Sequence, residues 1–182
     1  MEEMALTDPV TLLREIEESC RVCNSADPQR TVEVFSEWSG IAFRAGNNSL
    51  LASLDEVVEI LEMPRLTCVP HAQPWVRGIA NIRGNLLPVV DFSGFFSGEK
   101  THASDKARVI VIDYNGIYSG LMVDEVYGLK HFMKDEHTDS LAGVESYFIP
   151  YVKNGYLRHG KVWYEFSLLA LAETPRFLLA AA

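Results

Sequence analysis

Two cysteine-containing pairs are the strongest candidates for chemistry in this chain. Cys20-Arg21-Val22-Cys23 is a C-x-x-C, and Cys68-Val69-Pro70-His71 is a C-x-x-H. Four such ligands suit one tetrahedral zinc ion. The 44 residues between the pairs are far more than compact zinc modules use. The first pair also fits the apolar stripe of a predicted helix, where free cysteine behaves as a small hydrophobe. A thiol redox role would place the C-x-x-C after a strand in a βαβ setting, which the pattern lacks. A zinc- or redox-dependent β-barrel module using Cys20, Cys23, Cys68 and His71 is therefore the alternative reading. His71, His102, His131, His137 and His159 stand in no H-E-x-x-H, and there is no G-x-S-x-G, Walker loop or G-x-G-x-x-G. The adjacent carboxylates Asp124-Glu125 and Asp135-Glu136 are the kind that usually lie in solvated turns. No catalytic set is visible, and no cofactor is expected.

A different kind of site is suggested by Trp75–Phe92, WVRGIANIRGNLLPVVDF. It is mostly apolar, yet glycines and arginines interrupt it. Gly78 and Gly84 do not form a phosphate loop, because a strand follows and not a helix N-terminus that could bind an anion. Glycines admit a sharp turn or the close approach of another chain. Arg83 is a permanently charged fork that can pair with Asp91 or Glu59. It either ties the turn to its own barrel or helps to form a groove for a partner, and the residues alone leave these two roles level.

The elements that must position these residues are mainly β. Strands are predicted at 38–45, 49–54, 57–63, 75–81, 85–91, 108–113, 117–123, 129–133, 147–157 and 162–166. Gly46-Asn47-Asn48 and Asn115-Gly116 mark turns. About ten short strands without a βαβ rhythm suggest small barrels or a sandwich. The polar stretch 93–105 separates two groups of about five strands. Ser167 caps a predicted helix at 168–172, which Pro175 then limits. Before the strands, Asp8-Pro9 opens an amphipathic helix with Ile16, Cys20 and Cys23 on one stripe, ending at Asn24.

Charge sets further bounds. The 182-residue chain carries −9, and residues 1–37 set three arginines against nine carboxylates, two thirds of that net charge. Such a balance argues against nucleic acid as a partner. No apolar run approaches the roughly 18–20 residues that span a bilayer, and the acidic start lacks a signal-peptide pattern. Three cysteines point to a reduced, cytoplasmic setting.

The ordered run Gly78-Ile79-Ala80-Asn81-Ile82-Arg83-Gly84, continuing through Pro88-Val89-Val90-Asp91-Phe92, resembles the signature of the CheW-like family. Val57-Val58-Glu59-Ile60 and Gly120-Leu121-Met122-Val123-Asp124-Glu125-Val126 extend the resemblance. The early helix and the variant Pro74-Trp75-Val76-Arg77-Gly78 are similar to the adaptors of type IV pilus twitching motility. The resemblance implies two five-stranded SH3-like barrels sharing a core. It divides the chain into an acidic extension at 1–36, the domain at 37–174 and a tail at 175–182. It implies a non-enzymatic adaptor that joins a chemoreceptor's cytoplasmic tip to the regulatory domain of a histidine kinase, at receptor arrays on the inner membrane. By matched position, Val57, Glu59, Gly78, Arg83 and Gly84 fall in the receptor-side groove or its support. Gly120, expected in the second barrel, falls on the kinase side. Two departures stand out. Arg108 opens a strand where an apolar residue is common, and the last helix has Ser167 where a carboxylate or amide cap is usual.

Overall fold

A computed structural model describes residues 38–98 and 104–179. The predicted amino-terminal helix, with Cys20 and Cys23, lies outside the described residues. Among the described residues, eleven strands form two curled sheets. They are β1 (Trp38–Ala45), β2 (Asn48–Ser53), β3 (Glu59–Glu62), β4 (Val76–Ile82), β5 (Asn85–Asp91), β6 (Arg108–Tyr114), β7 (Ile117–Val123), β8 (Glu125–Phe132), β9 (His137–Thr138), β10 (Val152–Arg158) and β11 (Lys161–Phe166). One sheet runs β8-β1-β2-β11-β10-β9, the other β3-β6-β7-β5-β4. The expected mainly-β, two-barrel architecture is present, with the two-residue β9 added to one sheet.

The division between the sheets differs from the predicted one. The chain does not fold as a first and a second half. β3 to β7 make one sheet, while β1 and β2 join the late strands through parallel pairing of β2 with β11. A matching parallel pair, β5 with β7, lies inside the other sheet. Sequence order favours hairpin neighbours, and only long-range pairing decides these two crossings.

The polar stretch after β5 is not a spacer throughout. Phe92–Ser97 forms α1, with Asp91 as its N-cap accepting a 2.9 Å bond from the Gly94 N–H. Phe92, Phe95 and Phe96 recur at helical spacing, and Phe92 and Phe95 are buried. Serine and glycine between them disguised a helix that plugs the space between the sheets. There the Phe92 ring meets Phe43, Phe148 and Phe166 at 5.2–5.7 Å. Ile110, Ile112 and Leu121 from one sheet and Leu50 and Ala52 from the other complete this shared core. Each sheet also has its own interior. That of the five-stranded sheet is aliphatic: Ala80, Leu87, Val89, Val109, Val111 and Met122. That of the six-stranded sheet is rich in rings: Phe132, Tyr156 and Trp163, with Trp38 against them.

The predicted helix at Leu168–Ala172 is present as α2, with α3 (Pro175–Leu178) after it. Ser167 does cap α2, its Oγ accepting from the Ala170 N–H at 3.3 Å. The carboxylate missing from the local sequence arrives from elsewhere. Buried Glu56, in a short 3-10 turn after β2, accepts the Leu168 N–H at 2.6 Å, the Ser167 hydroxyl at 3.2 Å and Lys153 Nζ at 3.2 Å. One side chain thus satisfies the helix end, a donor beside it and its own charge. A buried carboxylate requires such partners.

Candidate docking surface

The two end strands of the five-stranded sheet are brought together by its curl. Arg83 reaches from the β4–β5 turn to Glu59 on β3, with Nη2 at 3.0 Å from Oε2. Asp91, the other carboxylate considered for Arg83, is fully buried, caps α1 and faces Arg77 at 3.9 Å. Arg83 is largely exposed at its end of the bridge, so the pair contributes only about 0–1 kcal/mol to folding. Its effect is on position, because it holds an exposed arginine against a particular strand.

Backbone geometry explains the Arg-Gly pair. β4 ends at Ile82 and β5 starts at Asn85, leaving Arg83 and Gly84 as a two-residue hairpin loop with φ of +52° and +90°. Positive φ at both positions is the type I′ pattern, which matches the strands' right-handed twist. The Asn81 side chain accepts the Gly84 N–H at 2.9 Å. Gly84 has open space where a Cβ would point. The glycine there serves the turn's dihedral angles, and its surface is free to meet another molecule.

Gly78 has the opposite surroundings. It sits at a bulge in β4, and a Cβ would lie 2.4 Å from the Thr67 carbonyl oxygen. Thr67 and Ile79 exchange two backbone hydrogen bonds at 2.9 Å. The chain that approaches Gly78 closely is thus this chain's own 64–67 segment. Val57 is half-buried against the shared core. Glu59, Arg83 and Gly84 therefore meet at one surface, with Gly78 and Val57 beneath or beside it. Exposed apolar side chains around them were not singled out from the sequence: Leu86 (67% exposed), Val58 (57%) and Ile60. Leu86 lies two residues past Gly84, and Val58 and Ile60 flank Glu59 in sequence, on the other face of the strand. An apolar side chain two residues past a turn glycine was the available signal.

Gly120 is not in a separate barrel. It lies on β7 in the same five-stranded sheet, between Val111 and Val89. A Cβ there would stand 2.6 Å from Val109 Cγ1 and 3.1 Å from Leu87 Cδ2. Its absence of a side chain lets the aliphatic interior close.

The remaining candidates are dispersed. Cys68 is exposed, and no group of three or more His, Cys, Asp or Glu side chains among the described residues stands close enough to hold a metal. His131 Nδ1 lies 2.7 Å from the Ser39 hydroxyl, and His137 contacts Asn154. Asp124 and Glu125 face Arg44 at 3.6 and 3.8 Å, and Lys106 joins Glu125 at 3.1 Å. Glu136 receives Arg158 at 2.5 and 2.7 Å. The arginine's bonds hold the Glu136 carboxyl below its ordinary value and lift Arg158 above its own. Burial pushes the Tyr164 phenol up. At the opening strand, Arg108 turns its guanidinium onto the Asp105 and Ala107 carbonyls at 3.0 and 2.8 Å, which explains a charge at a position expected to be apolar.

Residues 39–174 match the family model described as CheW-like domain. The chain belongs to the CheW-like family. Protein PilI of Pseudomonas aeruginosa is 37% identical over 170 residues, 93% of this chain and 94% of that protein. A chemotaxis protein CheW of Rhizobium meliloti is 35% identical over 86 residues, 47% of this chain and 56% of that protein. The fold is shared with a scaffolding protein, TtCheW from Thermoanaerobacter tengcongensis, at TM-score 0.64 and 22% identity, covering 76% of this chain and 94% of that one. This CheW-like chain is thus an adaptor of chemotaxis-like signalling and a homologue of PilI, with two curled sheets where the family's two barrels are expected.

Proposed function

We propose that this protein couples a chemoreceptor's cytoplasmic tip to the regulatory domain of a histidine kinase, in a pathway that controls type IV pilus twitching motility. The observation that carries the receptor side of this reading is exposed Val58, Ile60 and Leu86 on one face of the end strands, with the bridged pair Glu59–Arg83 at the same edge and Glu59 on the other face. An apolar strip with one orienting charge suits an amphipathic helix laid along it. Arg83 and Gly84 offer direct contact, Glu59 orients Arg83, and Val57 and Gly78 support the strip. Gly120 serves the kinase contact indirectly, through the shape of its sheet. The adaptor performs no catalysis. It works in the cytoplasm, recruited to receptor arrays, and biases the kinase by favouring one arrangement of the assembly. Residues 1–36 form an extension to the 37–174 domain, and 175–182 a tail. The homology to PilI over 93% of the chain supports the pilus assignment.

Purified full-length protein, mixed with a receptor cytoplasmic fragment and with the kinase's regulatory domain, tests the reading. Arg83→Glu and Gly84→Trp are expected to weaken receptor capture at least tenfold while circular dichroism stays native. Full receptor binding by both folded variants would reject the site. Failure of the wild-type chain to bind either partner would reject the function.

A further inference from the structure

The six-stranded sheet carries a concentration of charge away from the Arg83 turn. Among the described residues, β8 ends that sheet and pairs with β1 alone. Across the curl, the β10–β11 hairpin brings Trp163 against Tyr127 of β8, with ring centroids 5.6 Å apart at 88°. Lys161 Nζ lies 4.4 Å from the Trp163 centroid and 5.3 Å from that of Tyr127. Lys130 Nζ lies 5.0 Å from the same indole. In a regular strand Tyr127 and Lys130, three apart, would face opposite sides. The irregularity opposite Ala42 and Phe43 turns both toward Trp163.

These two lysines differ from the cations that are drawn into ion pairs. Arg44, Arg83, Lys106, Lys153 and Arg158 each meet a carboxylate. Among the described residues, neither Lys130 nor Lys161 has a carboxylate at ion-pair distance. The indole holds both stems in place, so an arriving anion finds the ammoniums already positioned. Sharing one ring, they lie within about 10 Å of each other, where like charges still feel one another at 0.1 M salt.

We propose that the seam where Tyr127 of β8 meets Trp163 of the β10–β11 hairpin docks an extended acidic segment of a partner on its surface, with carboxylates on alternate residues meeting Lys130 and Lys161. Alternate side chains of an extended chain share one side at roughly 7 Å spacing, which two ammoniums over one indole can match. The outer edge of β8, unpaired by any described strand, can add main-chain hydrogen bonds. The protein's net charge of −9 opposes a polyanionic membrane or nucleic acid and favours a short segment with few charges. The inference is independent of the receptor-groove reading.

The test is a titration of isotope-labelled full-length protein with the acetylated, amidated peptide Glu-Ala-Glu-Ala-Glu-Ala, following the Trp163 indole N–H by NMR. Saturable shifts are expected there and along β8, abolished by ~1 M salt. K130Q/K161Q is expected to weaken binding at least tenfold, and K134Q to leave it unchanged. The matching Lys-Ala peptide should give no shift. An absence of saturable shifts at millimolar peptide would overturn the proposal. So would equal binding by K130Q/K161Q, or a response to phosphatidylglycerol vesicles but not to the peptide.

Discussion

The two sheets solve the same architectural problem with different side chains. The five-stranded sheet closes on small aliphatic residues and needs a glycine at position 120, because Val109 and Leu87 already fill the space. The six-stranded sheet closes on Trp38, Phe132, Tyr156 and Trp163, with cations resting on the rings. Its stacked and tilted rings, at 4.9–6.3 Å, leave larger volumes to lose. One interior is thus sensitive to added atoms, the other to removed ones. Their surfaces differ in step. The aliphatic sheet exposes an apolar strip with a bridged arginine, and the aromatic sheet exposes lysines free of carboxylate partners.

Opposite substitutions should separate the two sheets. Phe132→Ala, which opens the ring cluster, is expected to cost about 3–5 kcal/mol by chemical denaturation. Gly120→Val adds volume where a Cβ already meets Val109, and should cost roughly 1–3 kcal/mol or more. The same change at Gly120 should weaken kinase binding through the altered sheet, while Phe132→Ala at matched folded fraction should not. Glu56→Gln tests the clamp where the chain passes from one sheet to the other. Loss of the charge-assisted bonds to Leu168 N–H and Lys153 is expected to cost about 1–3 kcal/mol, with faster amide exchange in α2 as the local readout.

Smaller effects sharpen the contrast in electrostatics. The Arg158 bond holds the Glu136 carboxyl down in the folded state, so the pair stabilises above the unfolded carboxylate range. That contribution disappears as pH falls through the depressed folded value. Urea midpoints of wild type and Glu136→Gln should therefore differ near neutrality and converge in acid. Arg83→Ala, which breaks an exposed bridge on the other sheet, should change stability by no more than about 1 kcal/mol. Its effect is expected in receptor binding, and a large loss of stability would recast Arg83 as a structural brace.

Much of the framework was legible because strand periodicity and turn chemistry act locally. β1, β5 and β7 match their predicted limits, and α2 matches together with its Ser167 cap. Asn115-Gly116 and Arg83-Gly84 fold as tight turns with positive φ. Helix α1 was misread, since the longer stretch 93–105 is polar by composition and the helical spacing of Phe92, Phe95 and Phe96 at its start was overlooked. The tight turn at Arg83 was legible, while the different duties of the motif's two glycines were not. Gly78 and Gly84 are equal in sequence, yet one lies under a crossing carbonyl and the other faces open space.

By itself, the sequence determined most of the strands, the turn that lifts Arg83 outward and the family to which the chain belongs, all through neighbours a few residues apart. Tertiary structure alone decided that β1 and β2 join the late strands, that Glu59 and not Asp91 receives Arg83, and that Glu56 caps a helix 112 residues further on. It also placed Gly120 in the sheet that carries Arg83. These contacts depend on how two curled sheets close around a shared core, and a buried charge or an end strand finds its partner only when that closure brings one within reach.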